Sequence, residues 1–367
     1  MRIIFLLLAI LIQVSCSSSN TASQNVNASG SAQVKSSCNN NPHCFEKIQA
    51  AIDAAPQIST SPYRIFIADG TYQEKLIINK NNIELVGQSS SKTRIVFNDY
   101  AGKEVSPGKN LTTPGSATLT IKATDIRLQN LTIENSFDFL KNDALPSDSP
   151  QKVNGSQAVA LFIDAPSDRV LVRNVTMLGY QDTLFVNSGR SWFDKVLIAG
   201  NVDYIFGNGN ALFTQSEIKT LARGKPTSPH GFITAPSTQI NSKYGLTFLS
   251  CRLTRDNSVP DSAVPLGRPW HPTTQFADGR YADPNAIGKT VFVNTWMDAH
   301  ITADGWYSMG GSTKEGGRIN FLPEDSRFFE HKSTGPGAII NDKHRQLSEQ
   351  EAKEITRKNI LGDWNPK

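Results

Sequence analysis

The segment Val172-Arg-Asn-Val-Thr-Met177 begins with an apolar residue, continues with a polar pair, and places apolar residues at its fourth and sixth positions. Related segments recur along the chain: Leu128-Gln-Asn-Leu-Thr-Ile133, Phe193-Asp-Lys-Val-Leu-Ile198, Phe213-Thr-Gln-Ser-Glu-Ile218, Phe248-Leu-Ser-Cys-Arg-Leu253 and Phe292-Val-Asn-Thr-Trp-Met297. Counted from the third residue of each segment, the spacings are about 44, 21, 20, 35 and 44 residues. A period near 21 residues, with some coils lengthened by loops or skipped, indicates a solenoid of short strands.

A parallel β-helix fits this repeat, because each coil buries its inward side chains only against the coils above and below it. Four strand-like runs precede the repeat: Arg64–Ile67, Leu76–Ile78, Ile83–Val86 and Arg94–Phe97. A β-sandwich also has many short strands, but sandwiches usually carry hairpin turns such as Asn-Gly, and few are found here. We therefore predict an all-β fold built as a parallel β-helix.

Two helices are predicted at the ends of the solenoid, where they would cover its open core. The first has Asn41 as its cap and Pro42 at its first position, and Pro56 ends it. In the second, Ser348 and Glu351 form a capping box before a helix that runs to about Leu361.

The start of the chain has the layout of a secretory signal. The apolar run Ile3–Ile12 is too short to span a bilayer, and small residues follow it up to Cys16. Plain secretion is favoured, and the alternative is an outer-membrane lipoprotein that carries its lipid on Cys16. We predict a signal peptide over residues 1–16, a flexible linker over 17–37 and a single catalytic domain over 38–367.

Composition and cysteine content narrow the function classes. Hydrophobic residues are 38% and charged residues 19%, as in folded globular proteins. The net charge of +4 suits a polyanionic partner but is weak evidence on its own. The sequence lacks the basic runs with interleaved aromatic residues that nucleic-acid-binding proteins carry. Cys38 and Cys44 are candidates for a disulfide in an oxidising compartment, which leaves Cys251 as a buried thiol.

Two aspartates are separated by one repeat. Asp182 lies in Gly179-Tyr-Gln-Asp-Thr-Leu184, and Asp203 follows about 21 residues later in Asp203-Tyr-Ile-Phe-Gly207. On adjacent coils the two carboxyl groups would be roughly 4.8 Å apart, the separation of neighbouring strands. One carboxyl then keeps its proton while the other stays charged, which provides a general acid and a nucleophile. Alternatively, either aspartate bonds only to the backbone of a turn.

Other polar and aromatic residues fall where such a site would need them. Gln181 and Gln157, about one coil apart, could stabilise an oxyanion through their amide N–H groups, or could belong to an internal amide ladder. Arg268 could hold a carboxylate in a two-pronged hydrogen bond. Trp270 offers a flat face to a sugar ring, or packs in the core.

Several well-known catalytic patterns are lacking. The chain has no Gly-x-Ser-x-Gly nucleophile elbow, and its six histidines show no metal-binding spacing. Gly207-Asn-Gly-Asn-Ala-Leu212 lacks the third glycine of a dinucleotide-binding loop. No metal and no cofactor is therefore expected.

Taken together, five motifs resemble the pectin methylesterase family, and they occur in the order found in that family. They are Gly70-Thr-Tyr-Gln-Glu74, Gln157-Ala-Val-Ala-Leu161, Gly179-Tyr-Gln-Asp-Thr-Leu184, Asp203-Tyr-Ile-Phe-Gly207 and Leu266-Gly-Arg-Pro-Trp270. The resemblance extends over about residues 45–365. The segments at residues 267–274 and 281–286 are most similar to the secreted bacterial branch.

The resemblance implies a right-handed parallel β-helix that hydrolyses the methyl esters of pectin in a long surface cleft. Asp203 would attack the ester carbonyl and form an acyl-enzyme, and Asp182 would protonate the departing methanol and then activate water. Gln181 and Gln157 would hold the oxyanion, and Arg268 would orient Asp203. The implied sugar contacts are Trp270, Phe206, Thr113, Arg223, Thr273 and Met309. Pectin would be the partner of a monomer that needs neither nucleic acid nor another protein.

Two alternatives and one departure stand beside this hypothesis. A β-helix with paired carboxylates could also depolymerise pectate as a glycosidase or a lyase. A related esterase or thioesterase, or a carbohydrate-binding protein without pectin activity, would share the fold. Val196 and Ser216 stand where bacterial relatives often carry a cysteine pair, so that disulfide is not expected here.

Overall fold

The computed structural model describes residues 30–366, which wind into a right-handed parallel β-helix. Three long sheets run along the solenoid, and each coil contributes a strand to them in turn. The predicted fold class is therefore confirmed. The predicted signal peptide and residues 17–29 of the predicted linker lie outside the described residues.

The first sheet, called sheet 1 below, has eleven parallel strands. Its strands are Ser31–Val34, Cys44–Phe45, Tyr63–Ile67, Ile83–Gly87, Ile126–Gln129, Val170–Arg173, Arg190–Asp194, Asn210–Thr214, Leu246–Leu249, Lys289–Val293 and Arg327–His331. Sheet 2 follows it in each coil and has eight strands. These are Gly70–Gln73, Thr93–Phe97, Thr132–Asn135, Thr176–Leu178, Leu197–Gly200, Glu217–Thr220, Arg252–Arg255 and Trp296–Met297.

Sheet 3 has six strands; Asp203 lies on one of them, and Gln157, Gln181 and Asp182 lie shortly before two others. Its strands are Leu76–Ile78, Leu119–Ile121, Leu161–Ile163, Leu184–Val186, Val202–Gly207 and Phe232–Pro236. Three antiparallel hairpins project from the solenoid: Glu104–Ser106 with Lys109–Asn110, Thr273–Phe276 with Gly279–Ala282, and Met309–Ser312 with Arg318–Phe321. The helices are α1 (Ile48–Asp53), α2 (Thr112–Gly115), α3 (Phe139–Ala144), α4 (Glu349–Lys353) and α5 (Arg357–Leu361), with a 3-10 turn at Pro323–Asp325.

The repeated six-residue segments form the corner between sheet 1 and sheet 2. The third residue of each segment has a left-handed φ of 50–54°: Asn130, Asn174, Lys195, Gln215, Ser250 and Asn294. Inward residues on consecutive coils then stack, and the rings of Phe193, Phe213 and Phe248 lie 4.4–4.7 Å apart. Because consecutive segments lie on neighbouring strands of sheet 1, no coil is skipped, and the longer spacings come from loops alone.

The first helix and the linker differ from their predictions. Cys44–Phe45 pairs with Ser31–Val34 as a strand, so α1 begins only at Ile48, and the predicted start at Asn41 and Pro42 is wrong. Ser31–Val34 also pairs with Tyr63–Ile67, so residues 31–34 are not part of a flexible linker. The buried face of α1 packs into the first coils and covers that end of the core.

The C-terminal helical region also differs in part. The capping box of Ser348 and Glu351 is present, but it opens a short helix, α4, and Thr356 caps a separate helix, α5. Ile360 and Leu361 of α5 pack against outward-facing side chains of sheet 1, including Trp192. The α5 part of the predicted C-terminal helix therefore packs on the outer face of sheet 1.

Candidate active site

Asp182 and Asp203 occupy matching positions on adjacent coils. Gln181 pairs with Val202, and Leu184 pairs with Ile205, which brings the two aspartates level with each other. Both have a left-handed φ, 66° at Asp182 and 49° at Asp203, a conformation that aspartate tolerates better than most residues. Both are buried, with exposed fractions of 8% and 7%. The structure thus places side by side the two carboxyl groups that the repeat predicted to be neighbours.

A bulge accompanies Asp203. The pairing register between its strand, Val202–Gly207, and the next strand, Phe232–Pro236, shifts between Val202 and Ile205. Bulges re-aim side chains and are frequent beside active sites. The irregularity therefore falls on the part of the strand that contains Asp203 and interrupts the regular alternation there.

Arg268 holds Asp203 in a two-pronged ion pair. Its Nε donates to Oδ1 at 2.9 Å, and its Nη2 donates to Oδ2 at 2.6 Å. The backbone N–H of Arg268 donates to the carbonyl of Thr234 on the preceding coil, which fixes the base of the side chain. The guanidinium also lies 3.9 Å from the ring centre of Phe232, in cation–π contact. Both oxygens of Asp203 are thereby oriented by one rigid donor.

The environment separates the two carboxyl groups electrostatically. Burial and, second, the negative charge of Asp203 raise the pKa of Asp182 well above its usual value, and the positive charge of Arg268 opposes them only in part. Asp182 is therefore the member of the pair that holds a proton more readily, and it can act as an acid. Asp203, held by Arg268, is the member of the pair placed to act as a carboxylate.

The two aspartates open into a cleft of about 460 Å³ on the outer face of sheet 3. Among the predicted residues, the cleft is lined by Gln157, Gln181, Asp182, Asp203, Arg268, Trp270, Phe206, Thr113 and Met309. Helix α2 supplies one wall through Thr113 and Pro114, and the hairpin strand Met309–Ser312 supplies another through Met309. The two glutamines are not hydrogen-bonded to each other, so the described residues show no amide ladder at this place.

Aromatic rings form the floor of the cleft beside the aspartates. Phe162, Phe185 and Phe206 stack from coil to coil, with centroid distances of 4.5 and 4.2 Å. Trp270 meets the last two of these rings edge-on, at 6.0 and 5.5 Å. Trp270 is only partly buried, so it both packs on this floor and presents surface to the cleft.

Two predicted cleft residues lie elsewhere. Arg223 makes a two-pronged ion pair with Asp143, at 2.8 and 3.0 Å, in a neighbouring depression of about 400 Å³. Thr273 is exposed on the strand Thr273–Phe276 and does not line the cleft. Arg223 and Thr273 therefore do not line the space around the two aspartates, and their sugar contacts stay predictions.

Sequence reasoning also missed residues that line the cleft. Phe185 lies one coil before Phe206, with which it pairs directly, so the same period that linked the aspartates could have identified it. Ala235 continues that column on the following strand. Pro114 belongs to a loop-borne helix with no repeat signal, and nothing in its local sequence marks it as a cleft residue.

The cysteines and the Val196–Ser216 pair, which the sequence analysis singled out, lie outside the cleft. Cys38 and Cys44 form a disulfide, and burial raises the pKa of the Cys251 thiol to about 12. Val196 and Ser216 are buried neighbours on adjacent coils, and the Ser216 hydroxyl accepts from the Val196 N–H at 3.1 Å. Within residues 30–366, no three metal-binding side chains cluster together, and no helix has the length and apolar character needed to cross a membrane.

Comparisons with known proteins agree on one family. The Pectinesterase family model matches residues 36–363. Pectinesterase A of Dickeya dadantii (strain 3937) is 46% identical over 325 residues, which cover 88% of each chain. A crystal structure of pectin methylesterase in complex with a hexasaccharide superposes with a TM-score of 0.88 at 47% identity, covering 92% of this chain and 98% of that one. Pectin methylesterase from Yersinia enterocolitica superposes with a TM-score of 0.84 at 45% identity, covering 87% and 99%.

Proposed function

The chain belongs to the pectinesterase family, and we propose on that premise that it hydrolyses the methyl esters of pectin to pectate and methanol through Asp203 and Asp182. The enzyme is a carboxylic ester hydrolase. The observation that carries the assignment of residues is the pairing, on adjacent coils, of a buried Asp182 with an Asp203 carboxylate that Arg268 holds through two hydrogen bonds.

The first half of the reaction forms an acyl-enzyme. An oxygen of the Asp203 carboxylate attacks the carbonyl carbon of the methyl ester, and the carbonyl oxygen becomes an oxyanion. Donation from the side-chain amides of Gln181 and Gln157 stabilises this charge as it develops. The tetrahedral intermediate collapses as Asp182 gives its proton to the methoxy oxygen. Methanol leaves, and the galacturonate carbonyl remains joined to Asp203 as an anhydride.

In the second half of the reaction, Asp182 acts as a base instead of an acid. Asp182, now a carboxylate, takes a proton from a water molecule while the water oxygen attacks the same carbonyl carbon. The bond to Asp203 breaks, which releases the free acid of the sugar and restores the Asp203 carboxylate. Asp182 regains its proton in this step, so both aspartates return to their starting states.

The cleft surroundings support a polysaccharide substrate. Trp270 and Phe206 offer apolar faces to the sugar, and Thr113 and Met309 border the same space from opposite walls. The similar pectin methylesterase bound to a hexasaccharide supports an extended pectin chain as the ligand. We assign sugar contacts to these four residues.

We also propose that the protein acts as a secreted single-domain monomer. The signal-like residues 1–16, the Cys38–Cys44 disulfide and the mild positive charge support export to an oxidising compartment that contains a polyanion. Sedimentation of the purified protein would reveal a dimer if the monomer is wrong. Labelling of the protein in cells with a radioactive fatty acid, lost on Cys16→Ser, would show instead the lipoprotein alternative.

The decisive experiment measures products from highly methylated pectin. Methanol should appear in step with free carboxyl groups, without new reducing ends, and an Asp203→Asn preparation should serve as the blank. New reducing ends or unsaturated products would indicate a depolymerase. The geometry disfavours an inverting glycosidase, since such enzymes hold their carboxyl groups roughly 6.5–9.5 Å apart, beyond the approximate spacing of neighbouring strands.

A further inference from the structure

The hydroxyl of Ser156 donates a hydrogen bond to Oε1 of Gln181 at 2.9 Å. We propose that Ser156 is a positioning residue, which holds the Gln181 amide so that Nε2 points to the reacting ester. This inference rests on the proposed function, because it gives a cause for the orientation of one oxyanion donor. Ser156 itself does not line the cleft of the two aspartates but the neighbouring depression, on the far side of Gln181.

The orientation of a glutamine amide decides whether it helps or opposes the reaction. One side of the group donates through Nε2 and the other accepts through Oε1, and half a turn about the last torsion exchanges them. With Nε2 towards the ester, the amide stabilises the oxyanion; with Oε1 there, it would repel it. The torsion itself has only a weak preference, so the surroundings must select the useful orientation.

The backbone of Gln181 is fixed by its neighbours, so only the orientation of its side-chain amide can still vary. Gln181 pairs with Val202 on the following coil, and its carbonyl accepts from Ala158 N–H on the preceding coil at 3.1 Å. Among residues 30–366, no protein group accepts from Nε2, whereas Oε1 has Ser156 as its donor. Nε2 is therefore free for an oxyanion, and the negative charge of Asp203 favours having the N–H side in the cleft.

Ser156 satisfies the other side of the amide. In the productive orientation Oε1 points away from the cleft and would stay unpaired beside a side chain that has no donor. The hydroxyl of Ser156 supplies the O–H that Oε1 accepts. A side chain without a hydroxyl at residue 156 would remove this support, and the amide would sample both orientations.

The segment that carries Ser156 is itself fixed by backbone hydrogen bonds from residues 101 and 102. Gly102 N–H donates to the Gly155 carbonyl, and Ala101 N–H donates to the Gln157 carbonyl, both at 2.8 Å. A Cβ atom on Gly102 would lie 1.8 Å from the Asn154 carbonyl oxygen, so only glycine permits this approach. The fixed segment of residues 155–157 therefore positions both predicted oxyanion donors: it contains Gln157, and it acts on Gln181 through Ser156.

The test measures methanol release from pectin by three single variants, Ser156→Ala, Ser156→Thr and Gln181→Ala. A double variant combines Ser156→Ala with Gln181→Ala. Removing a whole oxyanion donor costs about 10²–10³-fold in kcat, so losing only its orientation should lower kcat by about tenfold with KM nearly unchanged. Ser156→Thr, which keeps the hydroxyl, should restore most of kcat. Thr227→Ala, which removes a hydroxyl from the same depression without a contact to Gln181, is the matched control.

The double variant distinguishes positioning from a general structural role. If Ser156 acts through Gln181, then Ser156→Ala should cause no further loss in the Gln181→Ala background. A Ser156→Ala enzyme with the kcat of the wild type, or an equal further loss in the double variant, overturns the inference while leaving the esterase function intact. A Gln181→Ala enzyme with full activity would overturn both the inference and the proposed oxyanion role.

Discussion

Arg268 and Asp203 meet through two parallel hydrogen bonds, of 2.9 and 2.6 Å, although the residues are 65 positions apart in the chain. The side chain of Arg268 is 21% exposed and that of Asp203 only 10%, so the ion pair is largely shielded from water. A planar guanidinium matches a carboxylate with two donors at once, and it aims both oxygens as well as balancing their charge.

Replacing Arg268 with lysine should therefore be far from conservative. Lys retains the charge but offers only a point contact, so Asp203 loses its aim at the ester carbonyl. Losing one charge-assisted hydrogen bond costs about 1.5–3 kcal/mol, and we expect Arg268→Lys to lower kcat by about 10–100-fold. Arg64→Lys, which changes a partly exposed arginine that pairs with the buried Glu84 outside the cleft, is the control and should leave kcat unchanged. Wild-type kcat in Arg268→Lys would contradict the orienting role.

Asp203→Asn should abolish turnover but not binding. An amide of the same shape cannot attack the ester, and loss of a nucleophile typically lowers kcat by more than about 10³-fold. The cleft walls and Trp270 are unchanged, so the affinity for methylated pectin, measured by equilibrium binding, should stay within about threefold of the wild type. Asp261→Asn, an exposed carboxylate outside the cleft, should keep full activity. An active Asp203→Asn enzyme would remove Asp203 from the mechanism.

Turnover should fall on the alkaline side as Asp182 loses its proton. Burial and the charge of Asp203 raise the pKa of Asp182, so the acid form is present below that raised value and is lost as the pH rises through it. The profile of kcat/KM against pH should show this decline. In Asp182→Asn the residual activity should be low, and its pH profile should not show the alkaline decline. If the same alkaline decline remains in Asp182→Asn, another group must be responsible.

The parts of this structure that sequence reasoning predicted well are those set by the repeat. Residues such as Asn174 and Lys195 mark corners with a left-handed backbone, and counting from them gives the coil to which Asp182 and Asp203 each belong. A solenoid turns distance along the chain into position in space, so a separation of one period implies contact. The pairing of the two carboxyl groups needed nothing more.

Features that depend on loops or on distant partners were less predictable. The residue type of Arg268 indicated a carboxylate partner, but only the family resemblance identified that partner as Asp203, because Arg268 lies 65 positions away outside the repeat. Arg223 is absorbed by Asp143, 80 positions away, and no local pattern announces that ion pair. The capping signals at Asn41 failed because Cys44–Phe45 gains a strand partner in Ser31–Val34, a tertiary interaction that outweighs helix preference.

A buried histidine should make the stability of the protein depend on pH. His344 Nδ1 lies 2.6 Å from Glu330 Oε1, and Nε2 lies 3.2 Å from the carbonyl oxygen of Thr302, so both ring nitrogens face acceptors. Burial alone would lower the pKa of His344, but the hydrogen bond and charge of Glu330 outweigh it and raise the pKa above its usual value. The protonated ring is therefore favoured in the folded state.

The sign of this effect follows from the raised pKa. Its stabilising contribution is complete below the pKa of an unfolded histidine, about 6.5, and is lost as the pH rises through the higher folded value. The drop in Tm caused by His344→Gln should therefore be larger at about pH 5.5 than at about pH 9. His43→Gln, at an exposed histidine, should change Tm little at either pH. Equal drops for His344→Gln at both pH values would show that only packing is at stake.

The disulfide between Cys38 and Cys44 should stabilise the fold without affecting catalysis. It closes a short loop, with a sequence separation of 6, for which chain entropy predicts about 2 kcal/mol. The loop leads into the strand Cys44–Phe45 beside α1, at the end of the solenoid, and neither cysteine lines the cleft. We expect Cys38→Ser with Cys44→Ser to lower Tm by about 2–5 °C and to leave kcat and KM unchanged. Dithiothreitol should lower the Tm of the wild type by a similar amount and have no effect on the double variant, because the remaining described thiol, Cys251, is buried and unpaired. A wild-type Tm that is insensitive to dithiothreitol, measured after thiol counting has shown full reduction, would mean that the paired strands hold this end of the chain without the covalent link.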